Sequence, residues 1–156
     1  MTALRAQVSR RLAASSPHEV WNAFVNFLGS EPIELFTPEQ RVAALAFRYE
    51  SEVQNGGHLQ YFSNCGVGEA TQAVDALRQL GAPGHAAVLA SAVASLPADP
   101  DPSPASVDEY VSMALEDPHG RWDRAFHELN PPLIAVLEAY LDSHFSAFIA
   151  FDDDGA

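Results

Sequence analysis

Apolar residues recur at steps of three and four along nearly the whole chain. Such spacing collects side chains on one face of an α-helix, whose successive residues turn by ~100°. Val20, Trp21, Phe24, Val25 and Leu28 form one stripe, and Val42, Leu45, Tyr49 and Val53 another. Ala70, Ala73, Val74, Leu77 and Leu80 repeat it, as do Leu89, Ala92, Val93 and Leu96. Val107, Tyr110, Val111, Ala114 and Leu115 follow, then Trp122, Ala125, Phe126 and Leu129, then Ile134, Leu137, Leu141, Phe145 and Phe148. No segment alternates convincingly with a period of two, the mark of a half-buried strand. The pattern predicts an all-α fold with no sheet.

Punctuation sets the helix count. Ser16-Pro17-His18-Glu19 and Thr37-Pro38-Glu39-Gln40 each supply a hydroxyl cap, a Pro at the first helical position and an acid or amide at the third. The cap oxygen takes an orphan N–H, and the third residue reaches back to the cap's own N–H. Ser106-Val107-Asp108-Glu109 is the same box without the Pro, and Pro131-Pro132 opens the last helix after Asn130. Gly29, the pair Gly56-Gly57, Gly66 and Gly81 read as stops, since glycine takes the left-handed conformation after a final turn. The expectation is a bundle of about nine helices, near residues 3–14, 17–28, 38–54, 58–64, 68–80, 84–96, 107–117, 120–129 and 131–149.

A chain of 156 residues fits one domain, and 47% apolar residues exclude disorder throughout. Residues 1–151 are expected to form that domain. Residues 97–105 hold Pro97, Pro100, Pro102 and Pro104 and are expected to be a loop within it, and 152–156 a frayed acidic tail.

Acidic side chains number 21 against eight basic ones, all arginine, for a formal net charge of -13. Binding to phosphates relies on cations, so neither direct nucleic-acid binding nor anionic membrane is expected. No apolar run approaches the ~20 residues that span a bilayer. Arg5, Arg10 and Arg11 precede no apolar leader core, and the single Cys65 cannot form an internal disulfide, so a cytoplasmic location is expected.

The charge is uneven: 13 of the acids but only two of the arginines fall in the last 60 residues. In the helix near 107–117, Asp108, Glu109, Ser112 and Glu116 lie opposite the apolar stripe. Asp117 closes that helix where its dipole disfavours an anion. Asp99, Asp101, Asp123 and Asp142 are the further candidates for an acidic surface. A solvated face that keeps the protein soluble and a surface for a cationic partner are both consistent with this pattern. A DNA duplex carries one charge per ~1.7 Å of axis. Matching it takes carboxylates from several helices or from two copies of the chain, which makes a homodimer an alternative to the monomer.

Residues 50–66, Glu-Ser-Glu-Val-Gln-Asn-Gly-Gly-His-Leu-Gln-Tyr-Phe-Ser-Asn-Cys-Gly, hold a helix end, a Gly-Gly turn and a short helix. Leu59, Tyr61 and Phe62 are expected to be buried. Asn55 is suited to bond backbone N–H groups across the turn, and Gln60 and Asn64, four apart, to bond exposed backbone. This stretch resembles the signature of the DMP-type DNA-mimic protein family, a bacterial all-α group, which reads E-x-x-N-G-G-x-x-Q-[YF]-F-x-N. Glu52, Asn55, Gly56, Gly57, Gln60, Tyr61, Phe62 and Asn64 match it, and the next helix ends Leu80-Gly81-Ala82 as in the family. The resemblance covers residues 50–82. It implies a helical domain whose acidic surface stands in for the DNA backbone and removes a DNA-binding transcription regulator from its operator. The motif residues themselves read as architecture.

Other chemistries find less support. His18, His58, His85, His119, His127 and His144 form no tight ligand pair, and His119, His127 and Asp123 lack the close spacing of metal motifs. No metal or cofactor is expected. Cys65 and His58 come with no sequence signature of an orienting third group or an oxyanion hole, and Cys65 reads as a buried, inert thiol. Glu50 and Glu52 diverge by ~200° on a helix and cannot share a site. Three functions remain. The first is a non-enzymatic DNA mimic that occupies a DNA-binding protein. The second is an enzyme using Asn55, His58, Gln60 and Asn64, which requires a concave pocket there. The third is an immunity-type module for another basic protein.

Overall fold

Glycine breaks set the architecture. The computed structural model describes residues 2–97 and 104–152. Its elements are β1 (Ala6–Ser9), α1 (Arg10–Ser15), α2 (His18–Ser30), a single 3-10 turn (Ile33–Leu35), α3 (Pro38–Leu80), α4 (Pro83–Ala94), α5 (Val107–Glu116), α6 (Gly120–Glu128), α7 (Leu133–Ser143), α8 (Phe145–Phe148) and β2 (Ile149–Asp152). The fold is all-α apart from that strand pair. No helix among the described residues is long and apolar enough to cross a membrane.

The 43-residue α3 is three limbs rather than one rod. It leaves helical geometry at Gly56 (φ -153°), Gly57 (φ 70°, ψ -173°) and Gly66 (φ 79°, ψ 169°), and ends at left-handed Gly81 (φ 93°). The limbs 38–55, 58–65 and 67–80 therefore reproduce the expected segmentation. They form the centre of the molecule. Tyr49, Tyr61, Phe62, Ala73 and Leu77 have no exposed surface, and α2, α4, α6 and α7 pack around them.

The chain ends depart from expectation. Residues 6–9 are a strand instead of part of a first helix, and pair in parallel with 149–152, Ala6 against Ile149 and Ser9 against Asp152. Asp152 thus belongs to the domain, and the remaining tail residues, 153–156, lie outside the described residues. The last predicted helix is also shorter. It breaks at His144 (φ -123°), whose ring stacks on Tyr140 at 4.0 Å, and the chain turns extended after Phe148. Four-residue strands are too short to display a period, and their pairing joins residues at opposite ends of the chain.

One side chain ties both ends to the centre. The Thr37–Gln40 capping box is present: Thr37 Oγ1 accepts from the Gln40 N–H (3.4 Å) and Gln40 Oε1 accepts from the Thr37 N–H (3.0 Å). The Gln40 amide, with no exposed surface, also donates to the carbonyls of Leu4 (2.6 Å) and Ala147 (2.7 Å). The Ser16 cap does not form. Instead α2 opens after Pro17 with no side-chain cap, and the Glu19 N–H bonds the Ser16 carbonyl. At α5, Ser106 Oγ takes the Glu109 N–H, but Glu109 reaches back to Ala105 rather than to Ser106.

Candidate functional site

Two sets of residues compete for a function: the Asn-Gly-Gly segment and the acidic side chains. The first is a brace. Glu52, on the limb before the break, accepts at Oε2 from the Gln60 amide (2.8 Å) and the Asn64 amide (2.9 Å) on the limb after it. The two amides therefore serve a carboxylate across the break, not exposed backbone. Gly56 is required by the same geometry, since a Cβ there would overlap the Gln60 side chain. Asn55 is exposed and makes no side-chain hydrogen bond among the described residues, contrary to its expected role at the turn. Tyr61, Phe62 and Leu59 are buried as expected.

The second limb begins at His58, and its first N–H is satisfied from another helix. Asp123 Oδ1, on α6, accepts from the His58 N–H at 2.8 Å and from His58 Nδ1 at 2.7 Å. His58 Nε2 lies 2.8 Å from the Tyr49 hydroxyl. Burial first, then the charges of Tyr61, Asp123 and Glu50, push the Tyr49 hydroxyl pKa well above its ordinary value, so the phenol keeps its proton. A carboxylate only accepts, so the imidazole donates through Nδ1, and in its neutral form Nε2 is the acceptor for the phenol. Burial raises the Asp123 carboxyl pKa, but the hydrogen bonds from His58 outweigh it and hold it below its ordinary value. A Cβ at Gly57 would stand 2.5 Å from Asp123 Oδ2, so the second glycine makes room for this carboxylate.

Tyr49, His58 and Asp123 thus form a line of polar groups, yet His58 has no exposed surface. In this conformation its ring cannot touch a substrate, and both its nitrogens are already engaged. The arrangement fastens α6 to α3. Sequence reasoning missed it because Asp123 lies 65 residues from His58. No local spacing signals such a contact.

The other reactive groups are similarly placed. Burial, then Glu69 and Glu52, pushes the Cys65 thiol up to about 12, which keeps it protonated and unreactive. Glu50 is buried and Glu52 half-buried, and they engage Gln54 and the Gln60–Asn64 pair respectively. His119 is buried while His127 is exposed. No group of three ligating side chains that could hold a metal occurs among the described residues.

The acidic candidates divide. Asp99 and Asp101 lie outside the described residues. Asp123 departs from its expected place on the surface: it is turned inward onto His58, with 28% of its side chain exposed. Asp108, Glu109 and Glu116 on α5, Asp117 at its end and Asp142 on α7 are exposed. None of these five has an arginine within ion-pair distance among the described residues. Asp117 takes a left-handed conformation (φ 49°), and its carboxylate covers Gly120 at the start of α6. The helix carrying most of them is itself unusual. It buries no residue, and its expected core stripe faces outward: Val107 is 79% exposed, Val111 49% and Leu115 82%. Only Tyr110 and Met113 are half-buried.

No curated protein and no solved structure shows significant similarity to the chain. A protein-family model described as DMP19-like protein matches residues 34–144, a span that runs from the 3-10 turn before α3 to the residue after α7 and includes the Asn-Gly-Gly brace. That match covers more than half of the chain, and the protein belongs to the DMP19-like family.

Proposed function

We propose that this protein is a non-enzymatic DNA mimic, whose acidic surface occupies the nucleic-acid-binding face of a DNA-binding protein such as a transcription regulator. The observation that carries this reading is the set of exposed carboxylates on and beside α5, Asp108, Glu109, Glu116 and Asp117, which have no arginine partner among the described residues. Carboxylates that the fold leaves unneutralised project a field that steers a cationic partner and then pair with its Arg or Lys groups. Membership of the DMP19-like family is consistent with it. Of the groups that the alternative, an enzyme at the Asn-Gly-Gly segment, would use, His58 is turned inward and the Gln60 and Asn64 amides are bound to Glu52, which leaves Asn55 as its one unengaged side chain among the described residues.

The test is capture from a native lysate at low salt, with elution by a salt gradient or by duplex DNA. A DNA-binding protein displaced by duplex supports mimicry. A basic partner without DNA-binding activity, released by salt and not by duplex, supports an immunity-type module and overturns it. The triple change Asp108→Lys, Glu109→Lys, Glu116→Lys should abolish capture while leaving the unfolding midpoint nearly unchanged. Intact capture by that variant at low salt would remove α5 from the binding surface.

A further inference from the structure

The geometry of α5 points to a more specific partner chemistry, and the inference rests on the reading of its carboxylates as a protein-binding surface. Val107, Val111 and Leu115 follow one another at steps of four. On a helical wheel they span ~80°, and Asp108, Ser112 and Glu116 occupy the adjoining ~80°. A ridge of three exposed apolar side chains is therefore edged along its length by carboxylates.

Two physical arguments say that this ridge is completed by another molecule. A ten-residue helix is below the ~12–15 residues at which helices hold together alone in water, and helices in proteins rely on burying one face. Yet α5 buries no residue and is not extensively packed on any other described element. Charge then selects the occupant. A second copy would bring Asp108, Glu109, Glu116 and Asp117 against their own counterparts, in a molecule already at -13. Anionic lipid is repelled for the same reason. We propose that the Val107–Val111–Leu115 ridge docks an amphipathic helix of another protein, one with an apolar stripe edged by arginine or lysine. The apolar stripes bury each other, and the flanking cations meet Asp108, Glu109 and Glu116, the arrangement by which charged edges set partner choice in paired helices.

The probe is a synthetic amphipathic helical peptide with a leucine stripe flanked by arginines, labelled for fluorescence anisotropy against the full chain at low and high salt. Two control peptides replace the leucines by serine or the arginines by glutamate. The proposal expects the leucine–arginine peptide to bind, the glutamate peptide not to bind, and the serine peptide to bind only at low salt. The double change V111S/L115S, at exposed positions and with helicity checked by circular dichroism, should weaken the leucine–arginine peptide by at least about tenfold at both salts. No binding of that peptide to the unaltered chain, or V111S/L115S binding within about twofold of it, would overturn the docking ridge. If the lysine triple change still abolished capture from the lysate, the charge-based reading would survive that failure. Binding that is lost in V111S/L115S but untouched by the triple lysine change would instead overturn the cationic partner, and mimicry with it. A dimer by light scattering that dissociates on V111S/L115S would assign the ridge to a second copy and refute the proposal.

Discussion

Replacing Asp123 by alanine tests the internal brace most directly. Its Oδ1 accepts two hydrogen bonds from His58, at 2.8 Å from the backbone N–H and 2.7 Å from Nδ1. Asp123 Oδ1 is the side-chain acceptor for both donors, and His58 has no exposed surface. A buried donor left unsatisfied costs about 1–3 kcal/mol. Two such donors give an expected loss of about 2–5 kcal/mol, a large part of the ~5–15 kcal/mol by which domains are stable. Asp123→Asn keeps an oxygen acceptor and loses only the charge, so it should cost about 1–2 kcal/mol. Equilibrium urea unfolding of the three proteins, followed by tryptophan fluorescence, measures both. Acid titration adds an independent readout. Burial raises the Asp123 pKa, but the His58 bonds overcome that and depress it in the folded state. The unfolded chain then binds the proton more readily than the native one. This contribution is complete above the ordinary carboxyl value of 3.8 and is lost as pH falls through the lower folded value. Both variants should lack that component of acid unfolding. An Asp123→Ala protein within about 0.5 kcal/mol of the original would show that His58 finds other partners, and the reasoning would fail.

Two further changes probe the backbone and the chain ends. Gly57 and Gly66 share a conformation essentially restricted to glycine, at φ 70° and 79°, so alanine should cost about 1–3 kcal/mol at either. Gly57→Ala should cost more than Gly66→Ala by thermal denaturation, because only the new Cβ at 57 meets Asp123, at 2.5 Å, whereas none lies near Gly66. Gln40→Ala removes the donor to the Leu4 and Ala147 carbonyls. It should cost about 2–3 kcal/mol and expose the β1 amides to hydrogen exchange before the centre of α3, whereas simultaneous exchange would show that the strands do not depend on Gln40.

The sequence by itself determined what is local. The three- and four-step spacing, the Thr37–Gln40 box and the glycines at 56, 57, 66 and 81 act within a few residues. They therefore specify helices, their breaks and the all-α class whatever surrounds them. The acidic excess of the last third was likewise plain, since charge needs no fold to be counted. Tertiary structure decided everything that joins distant residues. It paired residues 6–9 with 149–152, brought Asp123 beneath the amide of His58, and gave Glu52 rather than backbone to Gln60 and Asn64. It also turned Val107, Val111 and Leu115 outward. Periodicity identifies which side chains of a helix share a face, but only the packing of the remaining chain fixes whether that face meets protein or water.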